Sequence, residues 1–286
     1  MPPIRDALAT AVSRLSVANV PSPRMNAELL LMFILACDRA YFYAHPEREL
    51  SAAEGLRYDE VLAERMRGVP AQYITGHQEF WGMDFIVTPA VLIPRPETEH
   101  LIETVLQLKA AGEGARPTQT VRVVDVGTGS GCIALALAKE LPEAEIHATD
   151  ISSAALEIAR ANAARLQLDG RVQFRETDLL RGFGRGMFDF VVSNPPYVGE
   201  SEEDEVQLEV RKFEPRQAVF AGPTGLELIS RLTPEARDAL SPGGWLALEV
   251  SGTIADEVRR LLSGWKGVQV TKDLQGITRV IAARTA

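Results

Sequence analysis

The chain has 286 residues, 46% hydrophobic and 24% charged, which is enough for one large globular domain or a medium domain joined to a small one. Its formal net charge of −9 works against sequence-independent binding of duplex nucleic acid, which relies on Lys and Arg neutralising phosphates, and favours a small molecule or a basic protein as partner. The longest apolar run, Leu29 to Cys37, is about half a membrane span, and the N-terminus has no basic-then-apolar signal pattern, so a soluble, cytoplasmic protein is expected.

Residues 1–75 read as a small helical domain. Ile4, Leu8, Val12 and Leu15 share one helical stripe, Pro21-Ser22-Pro23 interrupts it, and Ala27 to Ala36 forms an apolar second helix. Ser51-Ala52-Ala53-Glu54 has the form of a capping box, opening a helix that runs towards Arg67 and stops at Gly68-Val69-Pro70. Phe33, Tyr41, Phe42 and Tyr43 are expected to pack in the core, with a recognition surface as the alternative. Residues 76–93 form a linker in which Glu79 to Val87 folds as a β-hairpin around Gly82.

Residues 94–286 carry the larger domain. Pro94-Arg95-Pro96 leads into a helix with Leu101, Ile102, Val105, Leu106 and Leu108 on its apolar side, followed by a polar loop from Gly112 to Thr120. Strands then alternate with helices: Val121–Val126, Glu145–Thr149, Val172–Phe174, Phe188–Val192 and Trp245–Val250 are the strands, and Cys132–Leu141, Ala154–Leu168, Gly225–Leu240 and Ile254–Leu262 the helices. This alternation predicts a doubly wound, mostly parallel α/β sheet, closed by Val268–Val270 and Thr278–Ala282 as an antiparallel edge pair. Cys37 and Cys132 lie in apolar surroundings without metal-ligand spacing, so reduced thiols and no metal are expected.

Two stretches carry chemistry. Asp125-Val126-Gly127-Thr128-Gly129-Ser130-Gly131 joins the first strand of the sheet to its helix, and its glycines let main-chain N–H groups approach a ligand at a helix N-terminus. A dinucleotide fingerprint spaces its glycines G-x-G-x-x-G, whereas here the third follows after one residue, and the turn carries an acid and no cation. S-adenosylmethionine, which bears a sulfonium and an ammonium and no phosphate, suits it better. Asp150 ends the next strand, followed by Ile151, and is placed to accept ribose hydroxyls. Asp178, after the third strand, is placed to accept from the adenine amine with Leu179 against the ring. The second stretch is Ser193-Asn194-Pro195-Pro196-Tyr197. Its prolines cannot continue a sheet ladder, so an amide, two carbonyls and an aromatic ring arrive together at the carboxyl end of a buried strand, where open α/β sheets bind ligands.

With Pro94-Arg95-Pro96-Glu97-Thr98-Glu99 and Phe213-Glu214-Pro215-Arg216 added, these residues resemble the release factor glutamine methyltransferases, within the class I S-adenosylmethionine-dependent methyltransferases, nearly end to end. The resemblance implies methylation of the glutamine side-chain nitrogen in the Gly-Gly-Gln motif of class 1 peptide-chain release factors, with S-adenosylhomocysteine as product. It also implies a helical substrate-docking domain and no stable nucleic-acid or membrane partner; a monomer is expected. Asn194 would serve cofactor and substrate, with Pro195, Pro196, Tyr197, Arg95 and Glu97 on the substrate side. Leu179 departs from the aromatic that some members carry. An amide nitrogen needs both hydrogens accepted and its lone pair aimed at the methyl. The Asn194 oxygen and the Pro195 carbonyl can accept them, with Tyr197 and Pro196 against the amide plane. The same logic fits the exocyclic amine of a DNA or RNA base, which is the alternative reading.

Overall fold

The computed structural model describes residues 2–112 and 120–286; most of the polar loop expected at 112–120 lies outside the described residues. The chain separates into two compact units, 1–77 with 208–213, and 78–207 with 214–286.

In the first unit the apolar stripes become α1 (Ile4–Val17), α2 (Pro23–Leu35), α3 (Arg39–Ala44), α4 (Ala52–Met66) and α5 (Ala71–Thr75). Pro23 starts α2 at a position where a missing N–H costs nothing, so the helix begins earlier than its apolar run suggests. The capping box of α4 is complete: Glu54 N donates to Ser51 Oγ at 3.2 Å and Ser51 N donates to Glu54 Oε2 at 2.7 Å. Ile4, Leu15, Leu30, Leu31, Tyr58 and Leu62 share one core. Of the aromatic residues expected there, Phe42 is buried, while Phe33, Tyr41 and Tyr43 are exposed. A helix cannot turn the adjacent positions 41, 42 and 43 to one face.

A hairpin follows, β1 (His77–Phe80) and β2 (Met83–Ile86), whose first residue ends the first unit and whose turn residues Trp81 and Gly82 have φ of 53° and 64°, as a tight two-residue hairpin requires. In chain order there follow α6 (Glu99–Ala110), β3 (Arg122–Val126), α7 (Cys132–Glu140), β4 (Glu145–Asp150), α8 (Ser153–Arg165), β5 (Val172–Glu176) and β6 (Phe188–Ser193). Then come α9 (Leu208–Phe213), which belongs to the first unit, α10 (Arg216–Val219), α11 (Glu227–Ala239), β7 (Leu240–Glu249), α12 (Ala255–Leu261), β8 (Lys266–Lys272) and β9 (Thr278–Arg284). Among the described residues the large sheet has the order β5-β4-β3-β6-β7-β9-β8. Pairings from β5 through β7 are parallel. The closing pair is antiparallel, with β9 between β7 and β8, so β8 rather than the last strand forms the edge.

Every residue of β6 is buried, which explains its apolar run. Its one acid, Asp189, accepts from Arg122 N at 2.9 Å and from Ser241 Oγ at 3.0 Å, satisfying a group that would otherwise be costly to bury. At the other end of β6, Ser193 Oγ donates to Val126 O at 2.7 Å and pins the tips of β6 and β3 together. From β3 the chain builds outward through β4 and β5, then returns to add β6 on the other side. That reversal opens a crevice at the carboxyl ends of the strands.

Candidate active site

The crevice holds a cavity of about 390 Å³, within the range of small-molecule sites. Gly127, Thr128, Gly129, Ser130, Asp150, Ile151, Asp178, Leu179, Asn194, Pro195, Pro196 and Arg95 all line it. Asp125, Gly131, Glu97 and Tyr197, which the sequence also assigns to the site, do not.

The glycine turn takes the left-handed backbone its composition predicts, with φ of 74°, 55° and 84° at Gly127, Gly129 and Gly131. A side chain at Gly131 would press within 3.2 Å of Ala159 and Leu135, so this glycine serves helix packing rather than the ligand. Several of the turn's N–H groups are taken within the chain. Gly127 N and Thr128 N donate to Thr149 O at 2.8 and 2.9 Å, and Gly131 N donates to Thr128 O at 2.8 Å. Gly129 N donates to Asp150 Oδ2 at 2.9 Å. The turn therefore keeps fewer donors for a ligand than its composition suggests.

Asp125 lies under the turn, fully buried. Thr128 Oγ1 donates to its Oδ2 at 2.6 Å, its Oδ1 has no hydrogen-bond partner, and burial pushes its carboxyl up to about 7. It supports the loop from below. Asp150, in contrast, lines the cavity, with one backbone donor on each oxygen: Gly129 N on Oδ2 and Ser152 N on Oδ1, both at 2.9 Å. Burial raises its pKa against the pull of these bonds. The backbone N–H of Ile151 also favours its charged form, and a carboxylate with about four acceptor positions keeps capacity for a further donor.

Asp178 also lines the cavity but is already engaged: Arg231 donates to its Oδ2 at 2.6 Å. Arg231, contributed by α11, also lines the cavity and was invisible to motif reading because no local pattern links it to Asp178. Leu179 is buried with φ of 52°, so a strained backbone turns its side chain into the wall.

On the β6 side, Asn194 Nδ2 donates to Thr98 Oγ1 at 3.2 Å. The ring of Tyr197 packs against the core beside β7, and its hydroxyl reaches Glu249 Oε1 at 3.5 Å. Its backbone is held by Gly225, where an added β-carbon would come within 2.4 Å of the Tyr197 carbonyl oxygen. Arg95 is anchored by Glu214, which also accepts from Ile93 N at 3.2 Å. These contacts give Phe213-Glu214-Pro215-Arg216 a physical role: its acid fixes the rim arginine. Glu97 points away from the cavity towards Arg279, 4.0 Å distant.

Comparison with known proteins agrees with this geometry. Residues 6–76 match the PrmC N-terminal domain and residues 106–212 the Methyltransferase small domain. The chain is 54% identical to a release factor glutamine methyltransferase of Koribacter versatilis, over 98% of each chain. It is 41% identical to the protein of that name from Moorella thermoacetica, again over 98% of each. A solved methyltransferase from Pyrococcus furiosus shares the fold at 21% identity, with a TM-score of 0.51 over 80% of this chain and 99% of that one. On near full-length identity and a methyltransferase sheet with its cleft at the reversal point, this chain belongs to the release factor glutamine methyltransferases.

Proposed function

We propose that the protein transfers a methyl group from S-adenosylmethionine to the side-chain nitrogen of the glutamine in the Gly-Gly-Gln motif of class 1 release factors. The observation that carries this reading is Asn194 at the cleft, its Nδ2 engaged by Thr98 and its Oδ1 left to accept from a substrate amide. The relatives' names support the same substrate class.

The cleft suits S-adenosylmethionine. Several N–H groups of its glycine turn are committed within the chain, and Asp150, which lines the cavity, keeps acceptor capacity for a ribose hydroxyl. When bound, the cofactor supplies an electrophilic methyl on sulfur. Asn194 Oδ1 and the Pro195 carbonyl would hold the two amide hydrogens of the substrate and direct its lone pair. Both bonds would strengthen as the substrate nitrogen gains positive charge on methylation, so Asn194 and Pro195 would favour the transition state. One proton then passes to water, leaving the neutral methylated amide. Pro196 lines the wall beside Asn194, and Arg95, fixed by Glu214, sits at the rim where a protein substrate would enter. The helical unit contributes no cleft residue and is read as the docking part; Met25, Leu29 and Phe33 lie exposed on one face of α2.

Asp150→Ala is expected to weaken S-adenosylmethionine binding by about 1.5–3 kcal/mol, the scale of a charge-assisted hydrogen bond left unmade. Calorimetry measures this, and unchanged affinity would remove Asp150 from the cofactor site. The function itself is tested by mass spectrometry of a release factor incubated with the enzyme and S-adenosylmethionine. One methyl on the Gly-Gly-Gln glutamine, and none when that residue is alanine, is the expected result. Methyl groups in single-stranded oligonucleotides but not in the factor would overturn it.

A further inference from the structure

Asn162 of α8 does not line the cavity, yet it is fully buried and its amide is engaged on both sides. Its Nδ2 donates to Ile86 O at 3.0 Å and to Ser130 O at 2.9 Å, and its Oδ1 accepts from Ile86 N at 2.7 Å. The two carbonyls can only accept and the N–H can only donate, so the amide has a single orientation here. Small residues let α8 come this close: three positions earlier stands Ala159, whose β-carbon would be 3.2 Å from one added at Gly131.

Each of these bonds leads to a wall of the cleft. The Ser130 carbonyl and the Gly131 N–H belong to one planar peptide group. That N–H donates to Thr128 O at 2.8 Å, so Asn162 fixes the other end of the group that closes the glycine turn. Ile86, the last residue of β2, has both its main-chain groups taken by the Asn162 amide, as a neighbouring strand would take them. Four residues further on begins the segment 90–95, which gives Ala90, Val91, Leu92, Pro94 and Arg95 to the cavity. Glu214 holds the far end of that segment at Ile93 and Arg95.

Resting on the methyl-transfer reading above, we propose that Asn162 is a positioning residue for the cofactor: one buried amide sets the spacing between the glycine turn and segment 90–95, and with it the fit of S-adenosylmethionine. The two walls are thereby held in place before the ligand arrives, so binding does not have to order them. Asn162 acts through Ser130 and Ile86, whereas the groups assigned to the transfer step stand at the end of β6. Its influence therefore falls on cofactor affinity and not on the rate of transfer once the cofactor is bound.

The hairpin has a second tie to α8, which serves as a control. Arg165 pairs with the Asp84 carboxylate, and its Nε donates to Asp84 O at 3.3 Å. These bonds lie at the surface and reach the hairpin but not the turn, whereas Asn162 reaches both. Removing one tie or the other separates anchoring of the hairpin from spacing of the walls.

The test compares wild type, Asn162→Asp, Asn162→Ala and Arg165→Met, with S-adenosylhomocysteine as the calorimetric probe and melting curves to check the fold. Asn162→Asp keeps the shape but turns a carboxylate oxygen towards the carbonyls of Ile86 and Ser130, and Asn162→Ala removes all three bonds. Both are expected to bind the probe about tenfold or more weakly. The KM for S-adenosylmethionine should rise by the same factor, while kcat on a release factor stays within about threefold of wild type. Arg165→Met should bind the probe as the wild type does. A folded Asn162 variant with affinity within about twofold of wild type, or a loss in Arg165→Met as large as in Asn162→Ala, would overturn the proposal. Should neither Asn162 variant fold, amide hydrogen exchange in the wild type decides. The probe should slow exchange at Ile86 N–H, although Ile86 lies outside the cavity lining, and unchanged exchange there would overturn the proposal. A wild type that does not bind the probe would instead overturn the cofactor reading. One that binds it but leaves the release factor unmodified would overturn the substrate reading, which keeps the failures apart.

Discussion

Asn194→Ala is expected to bind S-adenosylmethionine as the wild type does and to lower kcat about a hundredfold or more. The magnitude follows from removing one pre-placed hydrogen-bonding group from a developing charge, about 2.7–4 kcal/mol by analogy with an oxyanion-hole donor. Cofactor affinity should survive because the opposite wall, with Asp150, Asp178 and the glycine turn, is built from other strands. Single-turnover rates under saturating cofactor measure the effect directly. Asn194→Asp gives a sharper comparison: it still accepts but no longer donates to Thr98. It should keep more activity than the alanine variant, because an acceptor for the substrate amide remains. A rate for Asn194→Ala within about threefold of wild type would remove the amide from the mechanism.

The ligand-free protein should lose stability as pH rises from about 4 to about 7, opposite to the usual trend for carboxylates. Asp125 is held above its ordinary 3.8, up to about 7, by complete burial. A group with a higher pKa folded than unfolded binds more protons in the folded state across that interval, so raising the pH favours unfolding. At about 1.4 kcal/mol for each pH unit, the ceiling for Asp125 is about 4 kcal/mol. Glu249 contributes a slope of the same sign. Urea denaturation at closely spaced pH values reads the curve, and Asp125→Asn should flatten it while keeping the bond from Thr128 through the remaining amide oxygen. A slope identical in Asp125→Asn and wild type would mean that Asp125 does not titrate in this range.

The elements were legible in the sequence because burial leaves periodic marks. The apolar run of β6 and the glycines before α7 mark, in the sequence, the strand end and the turn that line the cavity. What stayed hidden was pairing between residues far apart. The sequence shows three glycines and an acid, but not that the N–H groups of the turn are spent on Thr149, Thr128 and Asp150. It shows Tyr197 beside Asn194, but not that the segment held against Gly225 sends that ring towards Glu249. Thr98 stood inside a recognisable motif whose chemistry was not evident, since its partner Asn194 lies 96 positions away. Arg231 on Asp178 was hidden for the same reason.

The short helix α9 lies in sequence between the Asn-Pro-Pro-Tyr segment and Glu214, yet it packs with the helical unit. There Arg65 bonds Asn26 at 2.7 Å and pairs with Glu209 at 2.7 Å, and Phe213 lies against Gly68. The helical unit is therefore threaded twice by the chain, once at its start and once from within the catalytic sequence. Deleting residues 1–77 would not excise it cleanly: it would strand Phe213 and Glu209 without their partners, one residue before the acid that fixes Arg95. A shortened enzyme that fails on its substrate would thus not by itself identify the helical unit as the docking part. Grafting the helical unit of a relative onto this chain would need residues 208–213 to travel with it.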